Sequence, residues 1–116
     1  IWSTHFISML AYDPGVPHGF EPVLTGFSLV IAVVGMILAN GIMAVGTGLR
    51  HIFLSGSAFG LAVSLMHFTG MMAFLVPGEI IWNTSRIAAS VGLGVGLGAI
   101  AYHRIARPIT RICAGR

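Results

Sequence analysis

From Val23 to Val45 the chain carries no Asp, Glu, Lys or Arg, and the same holds from Ile52 to Val76 and from Ile87 to His103. A bilayer core takes about 20 apolar residues of helix, and the helix is favoured because it satisfies its backbone donors and acceptors within one segment. Each of the three runs therefore reads as a transmembrane helix. Residues 1–12 are too short to span and read as the last turns of a further spanning helix, ended by Asp13-Pro14-Gly15-Val16-Pro17, where proline removes a donor and restricts the residue before it. The chain begins at Ile1-Trp2 without an initiator Met or a cleavable leader, so it reads as a fragment. The expected fold is all-α: a polytopic membrane helix bundle of one truncated and three full helices, at about 1–12, 23–45, 52–76 and 87–103. A polar loop is expected at 13–22, a short turn at 46–51, and a basic tail over 104–116.

Composition agrees, since only 8% of residues are charged, against roughly a quarter in soluble domains. Five of the six arginines, Arg50, Arg104, Arg107, Arg111 and Arg116, fall in the 46–51 turn or the tail. Arg86 and the three acids, Asp13, Glu21 and Glu79, fall in or beside the other two loops. By the positive-inside bias the first group faces the cytoplasm, and the loops at 13–22 and 77–86 face outside. The net charge of +3 is thus a matter of topology; no basic face interleaved with aromatics points to nucleic acid. Cys113 stands alone, which excludes an internal disulfide or thiolate cluster. In the last run Ser90, Gly94 and Gly98 are four apart, a spacing that lets helices pack closely in lipid. Asn40 is expected to hydrogen-bond between helices.

Two windows repeat. His5-Phe6-Ile7-Ser8-Met9-Leu10-Ala11-Tyr12 aligns with His67-Phe68-Thr69-Gly70-Met71-Met72-Ala73-Phe74, with His, Phe, Met and Ala identical. The copies lie on alternate helices and so run in the same direction, a parallel repeat of a helix pair with an offset of 62 residues. His and Met at i and i+4 share a helix face about 6 Å apart, so His5 with Met9, and His67 with Met71, can address one object. Met66 points about 100° from His67 and does not recur. Counted back from Pro14 and Pro77, both histidines lie at similar depth, about 15 Å inside the outer boundary.

Imidazole with thioether, and neither carboxylate nor thiolate, suits copper, the soft Cu(I) ion above all. The same groups serve as axial ligands of haem iron. A third reading is purely structural, with each His bonded to a neighbour such as Ser64 or Thr69, in a transporter or structural bundle. His18, His51 and His103 lie at membrane boundaries, where solvation is easy. No carboxylate pair, nucleophile beside a base, or phosphate loop suggests catalysis within the chain.

Met66-His67-Phe68-Thr69-Gly70-Met71 resembles the motif of the MHYT domain, a bacterial integral-membrane sensor module, with Phe68 in place of Tyr. Trp2-Ser3-Thr4-His5-Phe6-Ile7-Ser8-Met9 is similar to a second copy, with Thr4 where Met is usual and Ser8 where Gly is frequent. The resemblance covers essentially the whole chain. It implies a bacterial inner-membrane domain of six or seven helices with three motif copies, two of them present here. It also implies copper bound through His and Met, as a sensor of oxygen, carbon monoxide or nitric oxide. Implied partners are the lipid bilayer and a fused or associated cytoplasmic domain, a diguanylate cyclase/phosphodiesterase or a kinase; a homo-oligomer stays open. The metal ligands so expected are His5, Met9, His67 and Met71, with Met66 beside them, and haem is the alternative cofactor.

Overall fold

A computed structural model describes every residue except Thr47, Glu79, Gly115 and Arg116, and describes residues 107–114 in backbone only. The expectations for Glu79, Arg116 and the side chains of Arg107 and Arg111 therefore lie outside the described residues. Four helices, α1 (Trp2–Ala11), α2 (Pro22–Val45), α3 (Leu49–Met72) and α4 (Thr84–Ala114), are joined by two short strands, β1 (Gly19–Phe20) and β2 (Phe74–Leu75). Pro22–Val45, Leu49–Met72 and Thr84–Ala106 are long and apolar enough to cross a membrane.

The repeat governs the helix starts. Glu21 caps α2, its side chain accepting from the Val23 and Leu24 amides, with Pro22 in the first turn where no donor is missed. Sixty-two residues on, Asn83 caps α4 through Oδ1 and the Arg86 amide at 3.2 Å. Two helix starts with different capping chemistry thus fall at the same place in each unit.

Several boundaries differ from the hydropathy reading. α3 starts at Leu49 and not Ile52, so Arg50 and His51 lie in its first turn and the connection expected over 46–51 is shorter; α4 starts at Thr84 and not Ile87, where Asn83 caps it. The third helix ends at Met72, not Val76: the Ala73 amide closes the last turn on the Thr69 and Gly70 carbonyls, both at 3.2 Å. Phe74 and Leu75 then leave the helix to pair antiparallel with Phe20 and Gly19. Residues 13–22 accordingly include a strand and are not wholly loop. The Glu21 amide donates to the Ala73 carbonyl at 2.8 Å, which ties the start of α2 to the end of α3. Finally, α4 stays helical through Ala114 instead of stopping at His103; apolarity ends near Ala106, but helix formation does not depend on it.

α3 is the central helix, packed on both α2 and α4. Against α4 the contact is backbone on backbone: a Cβ at Gly56 would lie 2.5 Å from the Gly98 carbonyl oxygen, and one at Gly60 would overlap the Gly94 carbonyl. Such close approach supplies the dispersion contacts that hold helices together where lipid removes the hydrophobic drive. Of the small residues on α4, Gly94 and Gly98 form this seam, while Ser90 is exposed and bonds the Ile87 carbonyl of its own helix. Gly56 and Gly60, also four apart, are the α3 half of the seam. Against α2, Gly35 meets Ala62, and buried Ser55 donates to the Ala39 carbonyl. Asn40 does bond between helices, its Oδ1 accepting from the Tyr102 hydroxyl at 3.3 Å. These two residues occupy equivalent positions of the two units.

Candidate functional site

α1 lies against the last turns of α3, and the contact is made by the repeated motif itself. The His5 and His67 rings meet with centroids 4.9 Å apart and planes at 72°. Each ring stands edge-on to the Phe that follows it, His5 to Phe6 at 5.1 Å and 79°, His67 to Phe68 at 5.3 Å and 67°. The approach depends on Gly70, where an added Cβ would lie 2.9 Å from His5 Nε2 and 3.3 Å from its Cδ2. Only a residue without a side chain leaves that cradle open.

Trp2, Phe6, Phe20 and Phe74 continue as a chain of aromatic contacts, with centroid separations of 4.8, 5.8 and 5.4 Å. The β1–β2 pair thereby covers one side of the site. Trp2 is fixed by its indole N–H, which donates to buried Ser28 Oγ at 3.0 Å; Ser28 in turn donates to the Thr25 carbonyl at 2.7 Å.

Because α3 ends at Met72, both histidines are shallower than the prolines imply. His67 lies five residues before Met72, about 8 Å of helix, so the imidazoles sit nearer the helix ends than a count from Pro77 suggests.

His5 Nε2 is buried and has no hydrogen-bond partner among the described residues. A bonded arrangement through Ser64 is not what forms: Ser64 Oγ donates to the Gly60 carbonyl at 3.0 Å. Buried polar atoms are nearly always partnered, and His5 Nε2, packed on Gly70, is an exception that a ligand or an ordered water would satisfy. Met9 and Met71, one turn beyond each His, are half-buried, and His67 is exposed. Met66 is placed elsewhere: it is 1% exposed and lines an apolar cleft of about 380 Å³ with Trp2, Met36, Phe59 and Val63, a cleft that neither His enters.

The boundary histidines are separate from this pair. His18 rests on Phe74 and bonds the Val16 carbonyl, and His103 stacks on Phe53 at 5.5 Å and 17°. Among the described residues no three His, Cys, Asp or Glu side chains gather as a metal site. A metal at His5 and His67 would have to be completed by thioethers, and the donor set available is neutral and soft, which fits copper(I).

Comparison with known proteins places the same two units on record. The chain matches the MHYT family, described as a bacterial signalling protein N terminal repeat, over residues 1–56 and again over 60–112. It is 35% identical over 99% of its length to a Caulobacter vibrioides protein named "uncharacterized signaling protein". Two Pseudomonas aeruginosa proteins follow. The cyclic di-GMP phosphodiesterase NbdA is 34% identical over 90% of the chain, and the bifunctional diguanylate cyclase/cyclic di-GMP phosphodiesterase MucR is 30% identical over 82%. The chain spans 14% of the length of each of these relatives. No solved structure matches it.

Proposed function

Since the chain belongs to the MHYT family of bacterial signalling-protein N-terminal repeats, we propose that it is a membrane-embedded sensory module that binds copper through His5, His67, Met9 and Met71. One observation carries the reading. Two equivalent imidazoles, on two different helices, meet at 4.9 Å within apolar segments, and one of them presents a buried nitrogen with no partner among the described residues. Ionisable groups at such depth are expensive to keep and mark function by default. Met66 is outside the proposed set because it fills the apolar cleft beside Trp2.

When bound there, copper(I) supplies a soft centre able to take oxygen, carbon monoxide or nitric oxide, or to change redox state. The protein's part is mechanical. α1 and α3 each contribute one His and one Met, so the site joins two helices that otherwise touch little. Gly70 sets how closely they approach, and the β1–β2 pair limits solvent entry. α3 is locked to α4 along the glycine seam, so a shift of α3 is passed to α4. In the proposed orientation the end of the bundle carrying Arg50 and Arg104 is cytoplasmic, and α4 leads toward an output domain. The relatives named for cyclic di-GMP turnover support such a domain.

Haem fits less well: two rings in contact at 4.9 Å leave no space for a porphyrin between them. The test is metal analysis of the full-length protein purified from membranes, beside a His5→Ala, His67→Ala variant. Copper in the parent and its loss from the variant support the reading; equal copper in both sinks it.

A further inference from the structure

α3 turns its small residues toward its neighbours: Gly56 and Gly60 toward α4, Gly70 toward α1, and Ala62 against Gly35 of α2. Its remaining face is an apolar row with a cation at one end. Arg50, Leu54, Ala58, Leu61 and Leu65 recur four, four, three and four residues apart, which sets them in one line along the helix. The row is recessed. Beside the Gly35–Ala62 contact a cavity of about 390 Å³ opens, where the small Gly35, Ala58 and Ala62 lie between the larger Leu38, Leu61 and Leu65. Toward the other end a second cavity, of about 450 Å³, is lined by Leu49, Arg50, Phe53, Leu54 and Ser57. Apart from Arg50 and the Ser57 hydroxyl, no polar side chain borders either cavity.

Arg50 is exposed in the first turn of α3, at the membrane boundary, and the chain offers it no counter-charge there. The acids among the described residues are Asp13 and Glu21, both at the far end of the bundle, where Asp13 accepts from the Gly15 amide and Glu21 caps α2 beside the end of α3. A guanidinium is a forked donor suited to phosphate oxygens. We infer that this face seats one anionic phospholipid, with its phosphate at Arg50 and an acyl chain along Leu54, Ala58 and Leu61.

The dimensions agree. From Arg50 to Leu61 the helix rises about 16 Å, and the hydrocarbon of one leaflet is about 15 Å deep, half of a core of about 30 Å. In the proposed orientation the Arg50 end lies in the cytoplasmic leaflet, the side whose anionic lipids attract basic residues. A zwitterionic lipid brings the same chains but balances its phosphate with its own cation, so the arginine selects the headgroup while the groove holds the chain. A second copy of this chain is the poorer occupant. Inserted in the same direction, it brings Arg50 and Arg104 to that depth, and its described acids lie at the opposite end. The copper ligands take no part in this face, so lipid retention and copper content are read separately.

The full-length protein, purified and delipidated in detergent, is titrated with dioleoylphosphatidylglycerol or dioleoylphosphatidylcholine, and bound lipid is counted by native mass spectrometry. One phosphatidylglycerol should bind about fivefold more tightly than phosphatidylcholine, the scale of a single arginine at an anionic surface. Arg50→Gln should erase that preference, whereas Arg104→Gln, at an exposed arginine of the same end that borders neither cavity, should keep it. Ala58→Phe, which fills the groove, should weaken both lipids alike. Equal binding of the two lipids by the parent overturns the inference, as does an equal loss of preference in the Arg50 and Arg104 variants. So does displacement of the lipid by glycerol 3-phosphate alone, which would mark a free-anion site, or a dimer that retains no lipid.

Discussion

α3 makes two close contacts through glycine, and they are built to opposite ends. Toward α4, Gly56 and Gly60 meet Gly98 and Gly94, backbone against backbone, and the hydroxyl that borders the contact, Ser64 Oγ, is already bonded to the Gly60 carbonyl. Toward α1, Gly70 meets an imidazole, and the nitrogen facing it has no partner among the described residues. The first contact consumes the space a missing side chain leaves; the second leaves a buried polar atom unpartnered among the described residues, where the proposed metal would bind. Small residues in a membrane helix thus mark packing in one place and a site in another, and what lies opposite the glycine decides which.

The contrast is broken most severely at the seam. Gly60→Leu should prevent α4 from seating on α3, seen as loss of monodisperse protein in detergent. Gly60→Ala, by overpacking, should cost about 1–3 kcal/mol and lower the thermal midpoint. Gly96→Ala, one helix face away with nothing within 4 Å, should hold or raise the midpoint, since Gly is about 0.5–1 kcal/mol worse than Ala within a helix. If the Gly60 and Gly96 variants melt alike, the seam is not what holds α4.

Gly70→Ala sharpens the other side. The added methyl has to displace the His5 ring by a few tenths of an ångström. Positioning changes around metal ligands weaken binding by about 10–100-fold, so copper affinity should fall on that scale while the thermal midpoint stays near the parent's. Equal damage to both would mean that the α1 contact is a packing seam like the other. The smallest effect is expected at Ser28→Ala, which removes the acceptor of the Trp2 indole; hydrogen bonds between membrane helices average about 0.6 kcal/mol. A correspondingly small drop in midpoint, read by thermal unfolding in detergent, checks it.

Much of this was open to a reading of residues. Charge-free runs locate α2 well, because Glu21-Pro22 is a local start signal. The match of His5 and Met9 to His67 and Met71 predicts the pairing of α1 with α3 before any coordinate is known. The end of α3 is not legible this way: Phe74, Leu75 and Val76 are as apolar as the helix before them, and their departure depends on Gly19-Phe20, more than fifty residues away. Gly56 and Gly60 carried a readable signal, four apart in a spanning run, but their importance depends on Gly94 and Gly98 lying opposite. Met66 shows the converse. Its place in the motif suggests a ligand, and its position on the helix puts it into the cleft beside Trp2.

The central claim is that the two equivalent histidines hold one metal between α1 and α3. Copper K-edge X-ray absorption on the full-length protein in membranes tests it directly. The account predicts nitrogen scatterers with imidazole character together with a sulfur shell, and a loss of nitrogen scattering in both His5→Ala and His67→Ala. A spectrum that either substitution leaves unchanged would contradict it.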